Sequence, residues 1–338
     1  MYFNIRYMLF KKFTSRARCQ THFLILCWKS KTIMGNCLSP HESTAPAATK
    51  LLLPPESKAA LAEHGWDKGT VAFGFTASES SVKLAVALHI LGMSDVTWVT
   101  VSFDDSPLQD IPEGFDPNMM TPGSKQKIGV KSELYKLITG NIGHMPALAI
   151  NGDMYLESDQ ILKMLALKND CSSEVINLID YSILYQEKIF EALKHWGWSG
   201  MHAAQNYSMV NKANYIDYGE GKKDEAWEKE ITDVIKDFMS KLEKTLADKS
   251  NINGFWVGDS LTLADASLIN WVQSLEGVAG LDVKKNYPSC YANWEKVKSS
   301  PPEGSLHFIY GFPVFCGFVA QANKDARTNG FDINKYWE

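Results

Sequence analysis

The stretch from residue 141 to residue 162 constrains the fold of this chain more than any other part of its sequence. At its centre, Asn151-Gly152 separates two short apolar runs, and Asn-Gly in that setting is the strongest short-range signal of an antiparallel hairpin. Proline is uncommon directly before a strand unless its geometry is required, and for Pro146 a cis bond to Met145 is the usual form of that requirement. The sequence therefore predicts a loop, a cis-proline, a hairpin and then a helix that begins at Ser158.

A strand–helix–strand pattern precedes the hairpin. Residues 70–75 have the composition of a strand, and residues 97–103 alternate like a second strand. Between them, residues 82–92 have apolar side chains at helical spacing, with Gly92 as the expected stop of the helix. A helical crossover of this length joins parallel strands. With the hairpin and its following helix, this is the element order of a thioredoxin-like α/β domain, which we assign to residues 67–168.

The connection between the second strand and the hairpin, residues 104–140, is long. Four prolines between Pro107 and Pro122 predict irregular structure over most of it, because proline removes a backbone donor and fixes its own backbone angle. Residues 131–139 are its one expected helix.

The second half of the chain has the pattern of a helical domain. Residues 174–218 and 224–250 carry apolar side chains on one helical face, with interruptions expected at Gly197 and Gly200. We assign residues 169–305 to this all-α domain, and residues 306–338 to a C-terminal tail that packs back on it. The predicted fold class is therefore a thioredoxin-like α/β domain followed by an all-α domain.

Residues 261–266 of this domain have a sequence pattern typical of the N-terminus of a helix. Thr262 followed three residues later by Asp265 is a variant of the N-terminal capping box, and Leu261 with Ala266 fits a hydrophobic staple. We expect Asp265 to serve folding and to have no catalytic role.

The loop, proline and helix start at residues 141–162 resemble the glutathione site of soluble glutathione transferases. In that family the residue before the cis-proline, here Met145 before Pro146, pairs its backbone with the cysteinyl part of glutathione. A Glu/Gln-Ser pair, here Glu157-Ser158, holds the γ-glutamyl end. A second, distant segment from Phe255 to Asp265 is similar to the capping box of the family's helical domain. With it, the resemblance covers about residues 70–302. The alternative is an ordinary hairpin packed on a helix.

The strand-to-helix junction at Ser78 resembles that of plant phi-class glutathione transferases, in which a serine at this position hydrogen-bonds the glutathione sulfur. A free thiol titrates near 8.5 and the thiolate is the nucleophile, so a hydroxyl donor at a helix N-terminus would favour the reactive form. Thr76 and Ser80 are alternatives for this role, and plain helix capping is another. The sequence departs from the phi pattern at Thr76, which replaces a proline, and at Val82 and Lys83, which replace a basic pair.

The resemblance implies that the helical domain supplies a pocket for an apolar electrophile. Tyr181 and Tyr185 are the main candidates for its lining, together with Trp196, Trp198 and His202. Aromatic side chains at helical spacing are also common in an ordinary core.

The leading functional prediction is a glutathione transferase that activates the thiol of its co-substrate for attack on a small apolar electrophile. The resemblance also implies a homodimer. The alternative is a non-catalytic assembly module of the same fold, similar to the gamma subunit of a eukaryotic elongation complex. The eight histidines show no metal-ligand spacing, so no metal is expected. Six scattered cysteines without a C-x-x-C pattern indicate reduced, intracellular thiols.

Charge is distributed unevenly along the chain. Residues 1–33 hold seven Arg and Lys residues and no acid, and subtracting these charges from the net −5 leaves −12 on the rest. An acidic body of this kind argues against a nucleic-acid partner, which needs a basic face.

The N-terminus carries a conditional lipidation signal. Met34 to Ser39 match the myristoylation pattern if translation starts at Met34, with Gly35 as the lipidated residue and Cys37 as a candidate second site. Residues 34–66 would then be a lipidated start and flexible linker, and the basic leader 1–33 an extension of untranslated sequence. The expected location is the cytoplasm, with anchoring to a membrane surface through the lipid. A mitochondrial transit peptide is the alternative interpretation of residues 1–33.

Overall fold

The computed structural model describes residues 50–75, 78–102, 104–111, 124–203, 225–248, 254–277, 279–300 and 337. The predictions for Gly35, Cys37 and Thr76 lie outside these residues, as do those for the tail apart from Trp337. The side chains of Trp196, Trp198 and His202 also lie outside the described part.

The first domain is built on a six-stranded mixed sheet of order β3-β4-β2-β1-β5-β6. Strand β1 pairs in parallel with β2, and β2 with β4, while β1–β5, β5–β6 and β3–β4 are antiparallel. The strands are β1 (Thr70–Gly74), β2 (Val96–Ser102), β3 (Gln109–Asp110), β4 (Gln126–Gly129), β5 (Ala147–Ile150) and β6 (Asp153–Leu156). The predicted strand–helix–strand unit and the hairpin at Asn151-Gly152 are both confirmed.

Two strands were not predicted. Residues 104–140 were expected to be irregular apart from one helix, yet they contain β3 and β4, which extend the sheet beyond β2. The expected helix is present as α3 (Glu133–Ile138). Strand β4 is four residues long and pairs with a strand that lies more than twenty residues earlier in the chain, so no local pattern marked it. The long connection therefore adds an edge to the sheet on the side opposite to β6.

Helices cover the sheet and form the second domain. The remaining helices are α1 (Pro55–Glu63), α2 (Glu79–Ile90), α4 (Ser158–Lys168), α5 (Ser173–Ala203), α6 (Glu225–Asp248), α7 (Leu263–Gly277), α8 (Val283–Asn286) and α9 (Pro288–Lys298). Among the described helices, none has the length and apolar character needed to cross a membrane. The predicted interruption at Gly197 and Gly200 is wrong, because α5 runs through both. An isolated glycine costs a helix only about 1 kcal/mol, which a long packed helix tolerates.

The two domains share one hydrophobic core. Helices α2 and α4 of the first domain pack against α7 and α5 of the second. Their buried apolar side chains form a continuous cluster that extends from Ala72 in the sheet to Trp271 in α7. Every residue of α2 from Val82 to Leu88 is buried, and all of them except Lys83 have apolar side chains. This helix is therefore enclosed on all sides.

The predicted capping box at the start of α7 is confirmed. One carboxylate oxygen of Asp265 accepts hydrogen bonds from the Thr262 amide at 2.9 Å and the Thr262 hydroxyl at 2.8 Å. The other accepts from the Trp256 amide at 3.0 Å and from Asn293 Nδ2 at 3.2 Å. Asp265 is fully buried, so it ties the loop before α7 and the helix α9 to one point.

Candidate functional site

One row of paired residues brings the predicted site segments together. Phe73 near the end of β1 pairs with Ala147 at the start of β5, and Ala147 pairs with Leu156 at the end of β6. Because β5 runs antiparallel to both neighbours, β1 and β6 end where β5 begins. The segments that follow or precede this row contain Ser78, Met145-Pro146 and Glu157-Ser158, which therefore meet at one end of the sheet.

The Met145–Pro146 bond is cis, as the sequence predicted. Two side-chain hydrogen bonds help to hold the loop before it. The Tyr135 hydroxyl donates to the His144 carbonyl at 2.7 Å, and the Gly143 amide donates to the Thr139 hydroxyl at 3.1 Å. The loop is thereby tied to α3, and the residue before the proline has a defined place next to β5.

Glu157 makes the turn from β6 into α4. Its φ of 67° lies in the left-handed region, which a residue with a side chain occupies at a cost of about 1–3 kcal/mol and which is concentrated at functional sites. Its Oε1 lies 2.8 Å from Nδ1 of His144. His144 was not singled out from the sequence, since only the fold brings the two residues together. This contact couples the loop before the cis-proline to the start of α4.

Ser158 is the first residue of α4, and its side chain is unusual. It is 3% exposed, and among the described residues its hydroxyl has no hydrogen-bond partner. A buried hydroxyl without a partner costs free energy, so such groups in folded proteins call for an explanation. The first N–H groups of a helix also lack partners within the helix and favour an anion. The role of Ser158 in binding a ligand stays a prediction.

Ser78 is the N-cap of α2. Its hydroxyl oxygen accepts a long bond of 3.4 Å from the Ser81 amide, and its side chain is partly exposed. The buried Ser81 hydroxyl accepts a shorter bond of 3.1 Å from the Phe75 amide and lies against Gly74, where a Cβ atom would come within 2.9 Å of it. The capping role of Ser78 is therefore confirmed, and its role toward a thiolate stays a prediction. Ser81 is the hydroxyl that fastens the end of β1 to α2.

The two tyrosines predicted for an electrophile pocket pack between α5 and α6. Tyr181 stacks on Phe238 with ring centroids 5.3 Å apart, and Tyr185 lies 5.0 Å from the same ring. The Tyr185 hydroxyl donates to Asp237 at 3.1 Å. Burial and the neighbouring Tyr185 raise the pKa of Tyr181, so this phenol stays protonated at neutral pH. These contacts describe a helix–helix interface, and the pocket role remains a prediction.

A buried charge pair beside the site was missed by the sequence analysis. Lys83 was noted only as a departure from the phi pattern, yet its Nζ lies 2.7 Å from Oδ2 of Asp159, the residue after Ser158. The available signal was a lysine inside an otherwise apolar helical face, which indicates a buried cation that needs a partner. Among the described residues, no group of three His, Cys, Asp or Glu side chains could hold a metal ion.

Comparison with known families identifies the helical domain. Residues 207–302 match the family model described as the C-terminal domain of glutathione S-transferase. The matched segment covers 96 of the 338 residues and lies within the helical half of the chain. No curated protein sequence matches the chain.

Several solved structures resemble this chain in fold and are distant from it in sequence. Ure2p, a yeast prion protein, in complex with glutathione is 16% identical, with a TM-score of 0.46 over 72% of this chain and 94% of that one. A glutathione S-transferase from Pseudomonas fluorescens is 18% identical, with a TM-score of 0.41 over 69% and 96%. One from Caenorhabditis elegans is 16% identical, with a TM-score of 0.44 over 72% and 97%.

Proposed function

We propose that this chain binds glutathione at the end of the sheet and activates its thiol for attack on a small apolar electrophile. The observation that carries the proposal is the Ser158 hydroxyl, which is buried, has no partner among the described residues and stands at the first turn of α4. Leu156, two residues before Ser158, pairs with Ala147, which directly follows the cis Met145–Pro146 bond. A packing role for this serine would leave that hydroxyl unexplained, whereas an anionic ligand satisfies it.

The γ-glutamyl end and the cysteinyl part of glutathione each have matching groups in this site. The Ser158 hydroxyl and the first N–H groups of α4 are donors for the α-carboxylate of the γ-glutamyl end. The Glu157 carboxylate, with a side chain 42% exposed, can accept from the ammonium group of the same end. The backbone of Met145 continues from β5 and can pair with the cysteinyl amide as an added strand would. This arrangement directs the thiol toward the N-terminus of α2.

Ser78 is the proposed partner of the sulfur. Its hydroxyl can donate to the thiolate while its oxygen still caps α2, because capping uses a lone pair and leaves the proton available. The positive end of the α2 dipole acts in the same direction. Both effects favour the anion over the thiol, and a thiolate at neutral pH is the nucleophile that conjugation requires.

Ser158→Ala tests the binding site. We expect the affinity for glutathione, measured by isothermal titration calorimetry, to fall about ten- to a hundredfold, which corresponds to about 1.5–3 kcal/mol for a hydrogen bond to a charged group. The free energy of unfolding should stay unchanged or rise slightly, because a buried hydroxyl without a partner is removed.

Ser57→Ala is the matched control. Ser57 is also a fully buried serine, but its hydroxyl donates a 2.7 Å bond to the Leu137 carbonyl. This variant should lose about 1 kcal/mol of stability or more and keep its affinity for glutathione. Unchanged affinity in Ser158→Ala would show that α4 does not hold the ligand.

A conjugation assay separates the transferase from the assembly module. We expect wild-type protein to be retained on immobilised glutathione and to conjugate chlorodinitrobenzene. Retention without turnover would favour a glutathione-binding assembly module. Absence of retention would contradict the proposed function.

A further inference from the structure

A buried ion pair connects three helices directly beside the proposed glutathione site. Lys83 on α2 and Asp159 on α4 have Nζ and Oδ2 2.7 Å apart, and their side chains are 1% and 0% exposed. The other carboxylate oxygen of Asp159 accepts a hydrogen bond of 2.8 Å from the Ser267 hydroxyl on α7. Each oxygen of Asp159 is therefore engaged by a different helix, and one of these helices belongs to the second domain.

Trp271 on α7 covers the ammonium group of Lys83. The Nζ atom lies 4.0 Å from the centroid of the indole ring, within the range of a cation–π contact. The indole is itself held by the hydrogen bond from Nε1 to the Ser182 hydroxyl on α5. Hydrogen bonds and the cation–π contact depend on direction, so they fix the position of the charge pair relative to α5 and α7. Apolar packing alone would allow these helices to shift against one another.

Stability does not explain a pair of this kind. Taking two charges out of water costs about as much as their attraction returns, and apolar side chains of similar size are often at least as stable. The pair instead fixes the position of Asp159. That residue follows Ser158 in the first turn of α4, and Glu157 before it keeps a left-handed conformation that the surrounding structure has to maintain.

We propose that Lys83 and Asp159 are positioning residues for glutathione, an inference that rests on the proposed function. They hold the first turn of α4 so that the Ser158 hydroxyl and the helix N–H groups face the γ-glutamyl end of the ligand. The second domain takes part through Ser267 and Trp271. The geometry of the glutathione site is therefore set from both domains.

The double variant Lys83→Met/Asp159→Leu tests this role. It replaces the pair by apolar side chains of similar size and should fold with nearly wild-type stability. We expect its affinity for glutathione, measured by calorimetry, to fall about tenfold, as for one weakened hydrogen bond to a charged group. In the chlorodinitrobenzene assay the loss should appear in the KM for glutathione, with kcat within about threefold of wild type. Amide hydrogen exchange should accelerate at residues 157–161.

A second ion pair on the same helix provides the matched control. Lys163 on α4 and Asp180 on α5 are 2.7 Å apart, with side chains 2% and 18% exposed, one helical turn beyond Asp159. Lys163→Met/Asp180→Leu should keep the affinity for glutathione within about twofold of wild type, because this pair joins the second turn of α4 to α5 and does not hold the first turn, which carries Ser158.

The outcomes separate the inference from the function on which it rests. An unchanged KM in Lys83→Met/Asp159→Leu, or an equal loss in both double variants, would overturn the positioning role while leaving the function intact. Wild-type protein that does not bind glutathione would overturn both. If the first double variant does not fold, Ser267→Ala removes only the hydroxyl contact to Asp159. It should still weaken binding about threefold, less than a full charged hydrogen bond, and normal binding in that variant would overturn the inference.

Discussion

Asp265→Ala should be the most destabilising single change in the helical domain described above. The carboxylate accepts hydrogen bonds from the Trp256 amide, from the amide and hydroxyl of Thr262, and from Asn293. Alanine leaves the Trp256 amide and the Asn293 amide group buried without this acceptor, at about 1–3 kcal/mol each. Thr262 is partly exposed, so water can replace its partner at a smaller cost. The expected loss is about 3–5 kcal/mol, against a total stability of about 5–15 kcal/mol for a folded protein.

Urea unfolding followed by far-UV circular dichroism measures this loss. The midpoint should fall while the slope against urea stays constant, since the surface exposed on unfolding does not change. Asp282→Ala is the control, because Asp282 is an exposed N-cap whose carboxylate accepts a 2.9 Å bond from the Lys285 amide. It should cost about 1 kcal/mol. If Asp265→Ala costs no more than Asp282→Ala, the hydrogen bonds of the capping box do not carry the stability assigned to them.

Three further predictions address chemistry, pH and location. Ser78→Ala should lower kcat for chlorodinitrobenzene conjugation about 10²–10³-fold, which is the effect of losing one oxyanion donor. The affinity for glutathione, measured by calorimetry, should stay nearly unchanged. Normal turnover in this variant would move the role to Thr76 or Ser80. Burial, followed by the Glu243 carboxylate, raises the pKa of the Cys290 thiol. Because the unfolded thiol ionises first, stability should fall as pH rises above about 8.5, and alkylation by iodoacetamide should be slow until the protein unfolds. When translation starts at Met34, Gly35→Ala should move the protein from the membrane to the soluble fraction on centrifugation, and Cys37→Ser should do so in part.

Local signals in the sequence predicted those parts of the fold that depend on neighbouring residues. The Asn151-Gly152 hairpin, the stop at Gly92 and the capping box at Asp265 each rest on backbone chemistry within a few positions, and all are confirmed. Gly92, with φ of 65°, has the left-handed conformation that ends a helix without a Cβ penalty.

Features that depend on distant partners were missed. Strand β4 forms by pairing with the edge of β2, and its four residues have no distinctive strand pattern in the sequence. The Lys83–Asp159 pair joins residues 76 positions apart. For the candidate site, sequence motifs marked Ser78, Met145-Pro146 and Glu157-Ser158 as predictions, whereas the contact of His144 with Glu157 requires the folded sheet. The burial of the Ser158 hydroxyl and its lack of a partner among the described residues likewise could not be predicted from the local sequence, because burial depends on every neighbouring element.

The enclosure of α2 has a consequence for how the chain is made. Its buried residues need cover from α7, whose last residue, Gly277, leaves the ribosome long after Lys168 completes the first domain. At a synthesis rate of about 5–20 residues per second, this interval lasts roughly 5–20 seconds. During that time the nascent first domain exposes an apolar helix that chaperones can bind. A truncated protein that stops after α4 would keep that surface permanently and should accumulate as insoluble material.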